Sequence, residues 1–309
     1  MDTTIEVRSA HKRYGEAVAL DGLSFTVSPG NVTGFVGPNG AGKSTTMRAI
    51  LGLDRLDSGT ATVGGQEYRT LRHPLTHVGS LLDAGALHPS RSGRNQLLWL
   101  AHSQGLPAKR VDEVVGAAGL QRVIRRKAGG YSLGMRQRLG LAAAMLGDPP
   151  ILMLDEPFNG LDPEGIVWMR TFLKSLAAEG RAVLVSSHLM SELEGTASHL
   201  VVIGRGRLVA DTSVADLIGA ASGGRVTLRT AARTDAMEVL AAAGATVAAT
   251  GPDTVTVSGL PPEDVVAVLG EHAVAFAEVS AHRATLEEAY MELTRDDVEF
   301  RALAGGEAR

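Results

Sequence analysis

The chain of 309 residues contains no cysteine, and aromatic residues make up only 4% of it. Without cysteine the chain can form neither a disulfide framework nor a metal site with thiolate ligands, which argues against a small secreted fold held by cross-links. Apolar residues nevertheless account for 44% of the sequence, which is ample for a sizeable core. At this length we expect one large domain or two ordinary ones.

The sequence also lacks an excess of positive charge. Its 30 Lys and Arg residues are outnumbered by 34 Asp and Glu residues, so the formal net charge is −4. A broad nucleic-acid-binding face normally carries a basic stripe, and we therefore expect no nucleic-acid partner.

Long hydrophobic runs are scarce as well. The longest, at residues 139–146 and 239–249, are well short of the ~20 apolar residues that a membrane-spanning helix needs. The sequence begins MDTTIE, which is acidic and polar, and no apolar segment follows as it would in a secretory signal. We therefore expect a chain that is soluble by itself.

A glycine-rich loop is the most informative motif that the sequence does contain. The phosphate-loop pattern of Gly, four residues, Gly, Lys and a hydroxyl residue is filled by Gly37-Pro38-Asn39-Gly40-Ala41-Gly42-Lys43-Ser44-Thr45. The flanking residues read as a strand at 32–36 that enters the loop and a helix at 45–51 that leaves it. We call residues 37–45 the phosphate loop, and they predict that the chain binds a nucleoside triphosphate.

Each residue type in the phosphate loop has a chemical reason. The glycines let the backbone curl, so that successive N–H groups and the N-terminus of the next helix face the phosphates. Lys43 is expected to reach the β- and γ-phosphates, and Thr45 adds a donor at the helix start. Ser44 is expected to place its hydroxyl on Mg²⁺, an ion that prefers phosphates and one or two protein oxygens to a cage made wholly of protein.

A second motif consists of an apolar run that ends in two acids, Ile151-Leu152-Met153-Leu154-Asp155-Glu156-Pro157. It reads as a buried parallel strand with carboxylates at its carboxyl end. Ligands bind at that edge of open α/β sheets, so the acids are expected to face the phosphate loop. Asp155 suits the Mg²⁺ shell, and Glu156 suits polarisation of the water that attacks the γ-phosphate.

A polar turn and a helix-like run lie between these two motifs, at Tyr131-Ser132-Leu133-Gly134-Met135-Arg136-Gln137-Arg138-Leu139. Ser132 is predicted to cap the helix. Together with the flanking motifs, the turn resembles the ATP-binding subunits of ABC transporters, whose characteristic pentapeptide is Leu-Ser-Gly-Gly-Gln. This chain departs from that pattern at three of the five positions, but it retains Ser132 and Gly134, which the resemblance assigns to the γ-phosphate of ATP.

The resemblance covers residues 5–218 and implies roles for further residues. The segment Phe158-Asn159-Gly160-Leu161-Asp162 resembles the D-loop of the family, with Asp162 in its acidic place. His188 ends an apolar strand at 182–188 and resembles the switch histidine, which donates to the γ-phosphate. Tyr14 resembles the aromatic residue that stacks on adenine.

One position departs from the family in an informative way. The family has a glutamine that contacts Mg²⁺ and water and links to the membrane partner, and the residue that aligns with it here is Asp83. We hypothesise that this carboxylate takes the role of the glutamine; the alternative is a shifted loop in which Asp83 is a solvated turn residue. Acidic Asp83 and the altered turn at Ser132 resemble the exporter branch of daunorubicin and bacitracin resistance.

The resemblance also implies the domain organisation. We expect an α/β P-loop cassette at residues 1–221, whose residues of about 84–130 form a helical subdomain that meets the permease. An accessory domain at 222–309 is predicted from its pattern to have the order βαββαβ, which suggests a small ferredoxin-like unit with α+β architecture, followed by a helix at 286–293. The turn Gly251-Pro252-Asp253 separates its middle strands.

The family supplies a mechanism and its partners. Two copies are expected to pair head to tail, with each ATP between one phosphate loop and the Ser132 region of the other copy. Transport is then expected to require a separate integral membrane permease, with the chain cytoplasmic and peripheral on the inner face of the cell membrane. Drug or antibiotic efflux is the function by analogy. A soluble ABC ATPase of repair or translation, or a nucleotide-gated module without turnover, remains the alternative.

Overall fold

The computed structural model of the protein describes residues 3–294. The chain divides into two compact units between Ser213 and Val214. The second unit therefore begins before the predicted boundary at residue 222, because the helix Val214–Ser222 packs against the helix Leu286–Leu293 rather than closing the first unit.

The first unit is an α/β structure. Its strands are β1 (Ile5–Tyr14), β2 (Ala17–Val27), β3 (Val32–Val36), β4 (Ser58–Val63), β5 (Val78–Leu81), β6 (Ile151–Asp155), β7 (Ala182–Ser187), β8 (His199–Gly204) and β9 (Arg207–Ser213). Its α-helices are α1 (Lys43–Ile50), α2 (Gly93–Ser103), α3 (Ala108–Ala117), α4 (Leu133–Ala144), α5 (Pro163–Ala178) and α6 (Met190–Leu193).

The strands of this unit form two sheets. The larger has the order β5-β6-β7-β3-β8-β9, with β9 antiparallel to β8 and the other neighbours parallel. The smaller is antiparallel, in the order β2-β1-β4. Strands β3 and β7 are mostly apolar and are buried along their whole length, as is usual for central strands of a parallel sheet covered on both faces.

A shared hydrophobic core joins the two sheets. Ile5 and Val7 of β1 and Met153 of β6 belong to one buried cluster with residues of α1. The rings of Phe25 and Phe35 stack within it with their centroids 5.1 Å apart. This packing attaches the smaller sheet to the larger one.

The order of the central strands decides where the site lies. Strands β6, β7 and β3 are parallel neighbours, so their carboxyl ends meet at one edge of the sheet. The phosphate loop follows β3, Asp155 ends β6 with Glu156 directly after it, and His188 follows β7. Motifs more than a hundred residues apart in sequence are thereby brought to one place.

The helical segment predicted between the two motifs contains α2 and α3, which contact each other, and α4 returns to the sheet. Ser92 begins α2 by accepting a hydrogen bond from the backbone N–H of Asn95 at 3.2 Å. Residues 84–92, within the range predicted as helical, contain no helix. No helix in residues 3–294 is long and apolar enough to cross a membrane.

The second unit contains α7 (Val214–Ser222), β10 (Val226–Arg229), α8 (Arg233–Ala242), β11 (Thr246–Ala249), β12 (Thr254–Ser258), α9 (Pro262–Glu271), β13 (Glu278–Ala281) and α10 (Leu286–Leu293). From β10 to β13 the order is βαββαβ. The sheet is antiparallel in the order β11-β12-β10-β13, and its core contains Ala236 and Leu240 of α8 and Val265 and Leu269 of α9.

The last strand of this unit, β13, does not follow directly on α9. Ala273 has a φ of 54°, and the N–H of Val274 bonds back to the carbonyl of Leu269, so residues 273–274 terminate α9. Pairing with β10 then begins at Glu278, opposite Arg229.

Candidate functional site

The phosphate loop has a backbone that glycine alone can supply at several positions. Gly40 and Gly42 have φ values of 81° and 108°. A Cβ added to Gly37 would lie 2.3 Å from the carbonyl oxygen of Ile203, so a larger residue does not fit there. The loop therefore owes its shape to glycine, both for chain conformation and for close packing against β8.

The side chain of Lys43 folds back onto this loop and is buried. Its Nζ donates to the carbonyl oxygens of Gly37 at 2.5 Å and Pro38 at 3.3 Å. Burial lowers the pKa of Lys43, and the nearby carboxylates of Glu156 and Asp155 counter this in part. An ammonium has three donors, so one remains for a further acceptor beside those two carbonyls.

Ser44 and Asp155 are in direct contact across the sheet edge. The Ser44 hydroxyl donates to Asp155 Oδ2 at 2.9 Å, although the two residues are 111 positions apart in sequence. The other oxygen of Asp155 accepts a hydrogen bond from the hydroxyl of Ser186 in β7. Asp155 is thus held between the phosphate loop and the neighbouring strand.

Glu156 and His188 form a second pair. His188 Nδ1 lies 2.8 Å from Glu156 Oε2, and the side chains are 37% and 22% exposed. The backbone of Glu156 has a φ of 49°, which is unusual for a residue with a side chain. Its N–H donates to Ser186 Oγ at 2.9 Å, which connects this pair to Asp155.

These groups border a single cavity of about 300 Å³. Its lining consists of Ala19, Asn39, Gly40, Gly42, Lys43, Ser44, Thr45, Asp155 and Glu156. The sequence predicted all of these residues except Ala19 as site residues. His188 reaches the same place through its contact with Glu156.

Tyr14 lies at the end of β1, with its side chain in a small network. Its hydroxyl donates to Asp54 Oδ2 at 2.6 Å, and Arg48 of α1 donates to the same carboxylate from Nε at 2.8 Å. The hydrogen bond to Asp54 raises the pKa of Tyr14, and Thr45 lies close enough to lower it in part. The bond from Arg48, followed by that from Tyr14, holds the pKa of Asp54 at about 2. Tyr14 is 48% exposed, so much of its ring is accessible.

Ser132, Gly134 and Asp162 do not line the cavity of the phosphate loop. Ser132 is the N-cap of α4 and accepts from the N–H of Met135 at 3.2 Å, while Asp162 is the N-cap of α5 and accepts from the N–H of Gly165 at 2.8 Å. A Cβ on Gly134 would meet the carbonyl of Gly160 at 3.3 Å, so this turn packs closely against the D-loop, residues 158–162.

Asp83 follows β5 and is exposed. Its Oδ1 accepts from the N–H of Gly85 at 2.6 Å, a short-range turn bond. Within residues 3–294, no group of three or more His, Asp or Glu side chains is placed to hold a metal ion, so Asp83 does not join Asp155 and Glu156 in such a site. Strand β5 is the parallel neighbour of β6, with Leu81 opposite Leu154, so Asp83 follows its strand at the same edge of the sheet as Asp155.

Sequence reasoning missed two residues of this site, Ser186 and Gln137. The Ser186 hydroxyl donates to the carboxylate of Asp155 and accepts from the N–H of Glu156. Gln137 donates from α4 to the carbonyl oxygens of Glu156 and Asn159. The sequence contains a weak indication of each residue. Ser186 interrupts an apolar strand, and Gln137 lies one helical turn before Leu141 on a face of α4 that is otherwise apolar.

Both units of the chain match known protein families. The ABC transporter family matches residues 20–159. A domain of unknown function matches residues 224–287. The first match contains the phosphate loop and Asp155 and Glu156, and the second runs from β10 to the start of α10.

Individual proteins are similar over more of the chain. A bacitracin transport ATP-binding protein of Bacillus licheniformis is 39% identical over 212 residues, which are 68% of this chain and 69% of the relative. A daunorubicin resistance ATP-binding protein of Streptomyces coeruleorubidus is 35% identical over 309 residues, which are 96% of this chain and 97% of the relative. Among solved structures, the ATP-binding subunit of an ABC transporter superposes with a TM-score of 0.64 at 25% identity, over 71% of this chain and 93% of that one.

Proposed function

The chain belongs to the ABC transporter ATP-binding family, and we propose that it is the ATP-hydrolysing subunit of an exporter whose membrane-spanning part is a separate permease. The observation that carries this proposal is the contact of Ser44 with Asp155 beside the pair of Glu156 and His188. A module that only bound nucleotide would need the phosphate loop but no carboxylate held by a histidine at the same sheet edge.

The side-chain charges of the cavity indicate that ATP binds together with a cation. Lys43 supplies one positive charge, whereas Asp155 and Glu156 supply two negative ones, so the bare cavity does not favour a polyphosphate. Ser44 and Asp155 present oxygen atoms of the kind that Mg²⁺ prefers, and we assign both to that ion. When bound with ATP, Mg²⁺ neutralises charge on the phosphate oxygens.

The chain's own residues then divide the remaining work. The backbone N–H groups of the phosphate loop and the third donor of Lys43 hold the phosphates in place. Glu156 orients and polarises the attacking water, and His188 fixes the carboxylate of Glu156 in position through Nδ1. The exposed ring of Tyr14 stacks on adenine.

We also propose that two copies share each site. Ser132, Gly134 and Asp162 lie at helix N-termini outside the cavity of their own chain. A helix N-terminus with a serine cap attracts anions. Head-to-tail pairing of two chains puts Ser132 and Gly134 of one copy on the γ-phosphate in the other, so that ATP closes the dimer and hydrolysis opens it.

The relatives support the cellular role. The names of the bacitracin and daunorubicin proteins refer to transport and to resistance, which supports drug or antibiotic export by this chain through its permease. On this proposal the chain is cytoplasmic and peripheral on the inner face of the cell membrane. Asp83 takes the place of the family's glutamine between the nucleotide and the permease.

For the second unit we propose a ferredoxin-like accessory domain. The βαββαβ order and the antiparallel strand order β11-β12-β10-β13 support this classification. We assign this domain a role in assembly or regulation, by analogy with the exporter branch that the chain resembles.

Mixing two inactive variants tests the proposed function. Lys43→Ala damages the phosphate loop, and Ser132→Arg damages the surface offered to the other copy. A mixed dimer has one site with both defects and one intact site, so an equimolar mixture should recover about a quarter of the wild-type ATP hydrolysis rate. A mixture as inactive as either variant alone, while wild type hydrolyses ATP, contradicts the shared site.

A further inference from the structure

The main chain of Glu156 is held in its left-handed conformation by two side chains. Ser186 Oγ accepts from its N–H at 2.9 Å, and Gln137 Nε2 donates to its carbonyl oxygen at 3.3 Å. A backbone conformation of this kind persists only where the surroundings determine it. The φ of 49° at Glu156 therefore depends on groups outside its own turn.

Gln137 also holds the far end of that turn. The N–H of Asn159 bonds to the carbonyl of Glu156 at 3.2 Å and closes a four-residue turn after β6. The Gln137 amide nitrogen donates to the carbonyl of Asn159 at 3.3 Å as well as to that of Glu156. One side chain thus connects α4 to both ends of the turn that carries Glu156.

The chemistry of the amide fixes its orientation. Both acceptors are carbonyl oxygens, so the group that faces them must be the NH₂ and not the amide oxygen. Gln137 is only 5% exposed, and its Oε1 is buried without a hydrogen-bond partner in the part of the chain that the structure describes. A buried amide oxygen without a hydrogen-bond partner costs free energy. We therefore attribute the presence of Gln137 to the two hydrogen bonds that its nitrogen donates.

The helix that presents Gln137 is itself firmly placed. The guanidinium of the next residue, Arg138, lies 4.1 Å from the ring centroid of Trp168 in α5. The N-cap of α4 is Ser132, which the proposed dimer places on the ATP of the second copy. The same helix therefore touches one ATP site at its start and the base of the other site at Gln137.

From this arrangement we propose that Gln137 is a positioning residue: its amide fixes the turn after β6 so that the Glu156 carboxylate is aimed at the attacking water. This inference rests on the proposed hydrolysis. Gln137 does not touch the cavity of the phosphate loop, so it should affect turnover and leave nucleotide binding intact. Misplacement of a reacting group by about 1 Å costs up to 10²-fold in rate, which sets the expected size.

The test compares Gln137→Met with Gln121→Met in the full chain. Gln121 is the control, because its Nε2 also donates to a backbone carbonyl at 3.3 Å, that of Gly116 in α3, but the residue is exposed. Steady-state ATP hydrolysis gives kcat and KM, equilibrium dialysis with ATP gives Kd, and thermal unfolding reports folding.

We expect Gln137→Met to lower kcat roughly 10- to 100-fold with Kd for ATP within about twofold of wild type, and Gln121→Met to change neither. Equal kcat for Gln137→Met and wild type overturns the inference while the proposed function stands. No hydrolysis by wild type overturns both. If Gln137→Met fails to fold, Gln137→Asn takes its place, because its shorter side chain withdraws the amide from both carbonyls. Gln137→Asn must then show a lower kcat with an unchanged Kd for ATP. Loss of both ATP binding and turnover in Gln137→Asn contradicts the inference.

Discussion

Nδ1 of His188 lies 2.8 Å from Oε2 of Glu156. An ionised carboxylate can only accept hydrogen bonds, so the proton of this contact belongs to the histidine. The tautomer is thereby fixed, and Nε2 points away from the carboxylate.

Removal of this histidine should slow turnover more than it weakens binding. His188→Ala leaves the Glu156 carboxylate without its fixed partner, and we expect kcat to fall by roughly 10²-fold, the cost of a misplaced reacting group. His199→Ala is the matched control, because His199 also pairs with a carboxylate, Asp211, in β8 and β9 away from the cavity. Equal loss of kcat in the two variants would show that the effect is not specific to the site.

The protonation of Lys43 should be visible in nucleotide binding. Burial lowers its pKa, so the ammonium is lost at a lower pH than in an exposed lysine. ATP affinity is present while Lys43 is charged, and we expect it to fall as the pH rises through that lowered pKa. Lys43→Arg stays charged and should show no such fall, whatever its absolute affinity. The comparison is made by titration of ATP binding at increasing pH, with circular dichroism to confirm folding; parallel curves for the two proteins contradict the prediction.

Tyr14 is predicted to contribute to binding through its ring. Tyr14→Ala should weaken ATP binding by about 1–3 kcal/mol, the usual value of a base stacked on an aromatic side chain. Tyr14→Phe keeps the ring and loses only the bond to Asp54, so it should retain most of the affinity. Inorganic triphosphate has no base and serves as the control ligand. Weaker triphosphate binding by Tyr14→Ala would mean that the substitution disturbs the phosphate loop instead.

Asp83 provides a prediction about coupling to the permease. Asp83→Ala should reduce the hydrolysis that depends on transport, because the proposed role places Asp83 between the nucleotide and the permease. Asp83→Asn keeps an acceptor for the N–H of Gly85 and separates the loss of charge from the loss of the turn. Coupled hydrolysis that is unchanged in both variants would remove the proposed role.

Local sequence was sufficient for the parts of the site that depend on one strand and the loop after it. The phosphate loop and the Asp155-Glu156 pair each occupy a few consecutive residues, and the rule for parallel strands predicts that they meet. Ser186 and Gln137 could not be found this way, since their partners are 30 and 19 residues away and depend on how β7 and α4 pack. The start of the second unit was missed for the same reason, because nothing local to Val214–Ser222 shows which unit it packs against.

The central claim is that two copies form the active ATPase, and the dependence of hydrolysis on protein concentration tests it most directly. Mg²⁺-dependent ATP hydrolysis is measured over a wide range of concentrations of the purified chain, with Glu156→Gln measured alongside. We predict a rate that rises faster than linearly with concentration until the dimer is saturated, and a loss of at least roughly 10²- to 10³-fold in the variant. A rate strictly proportional to concentration at all levels, or equal turnover by Glu156→Gln, would contradict the account.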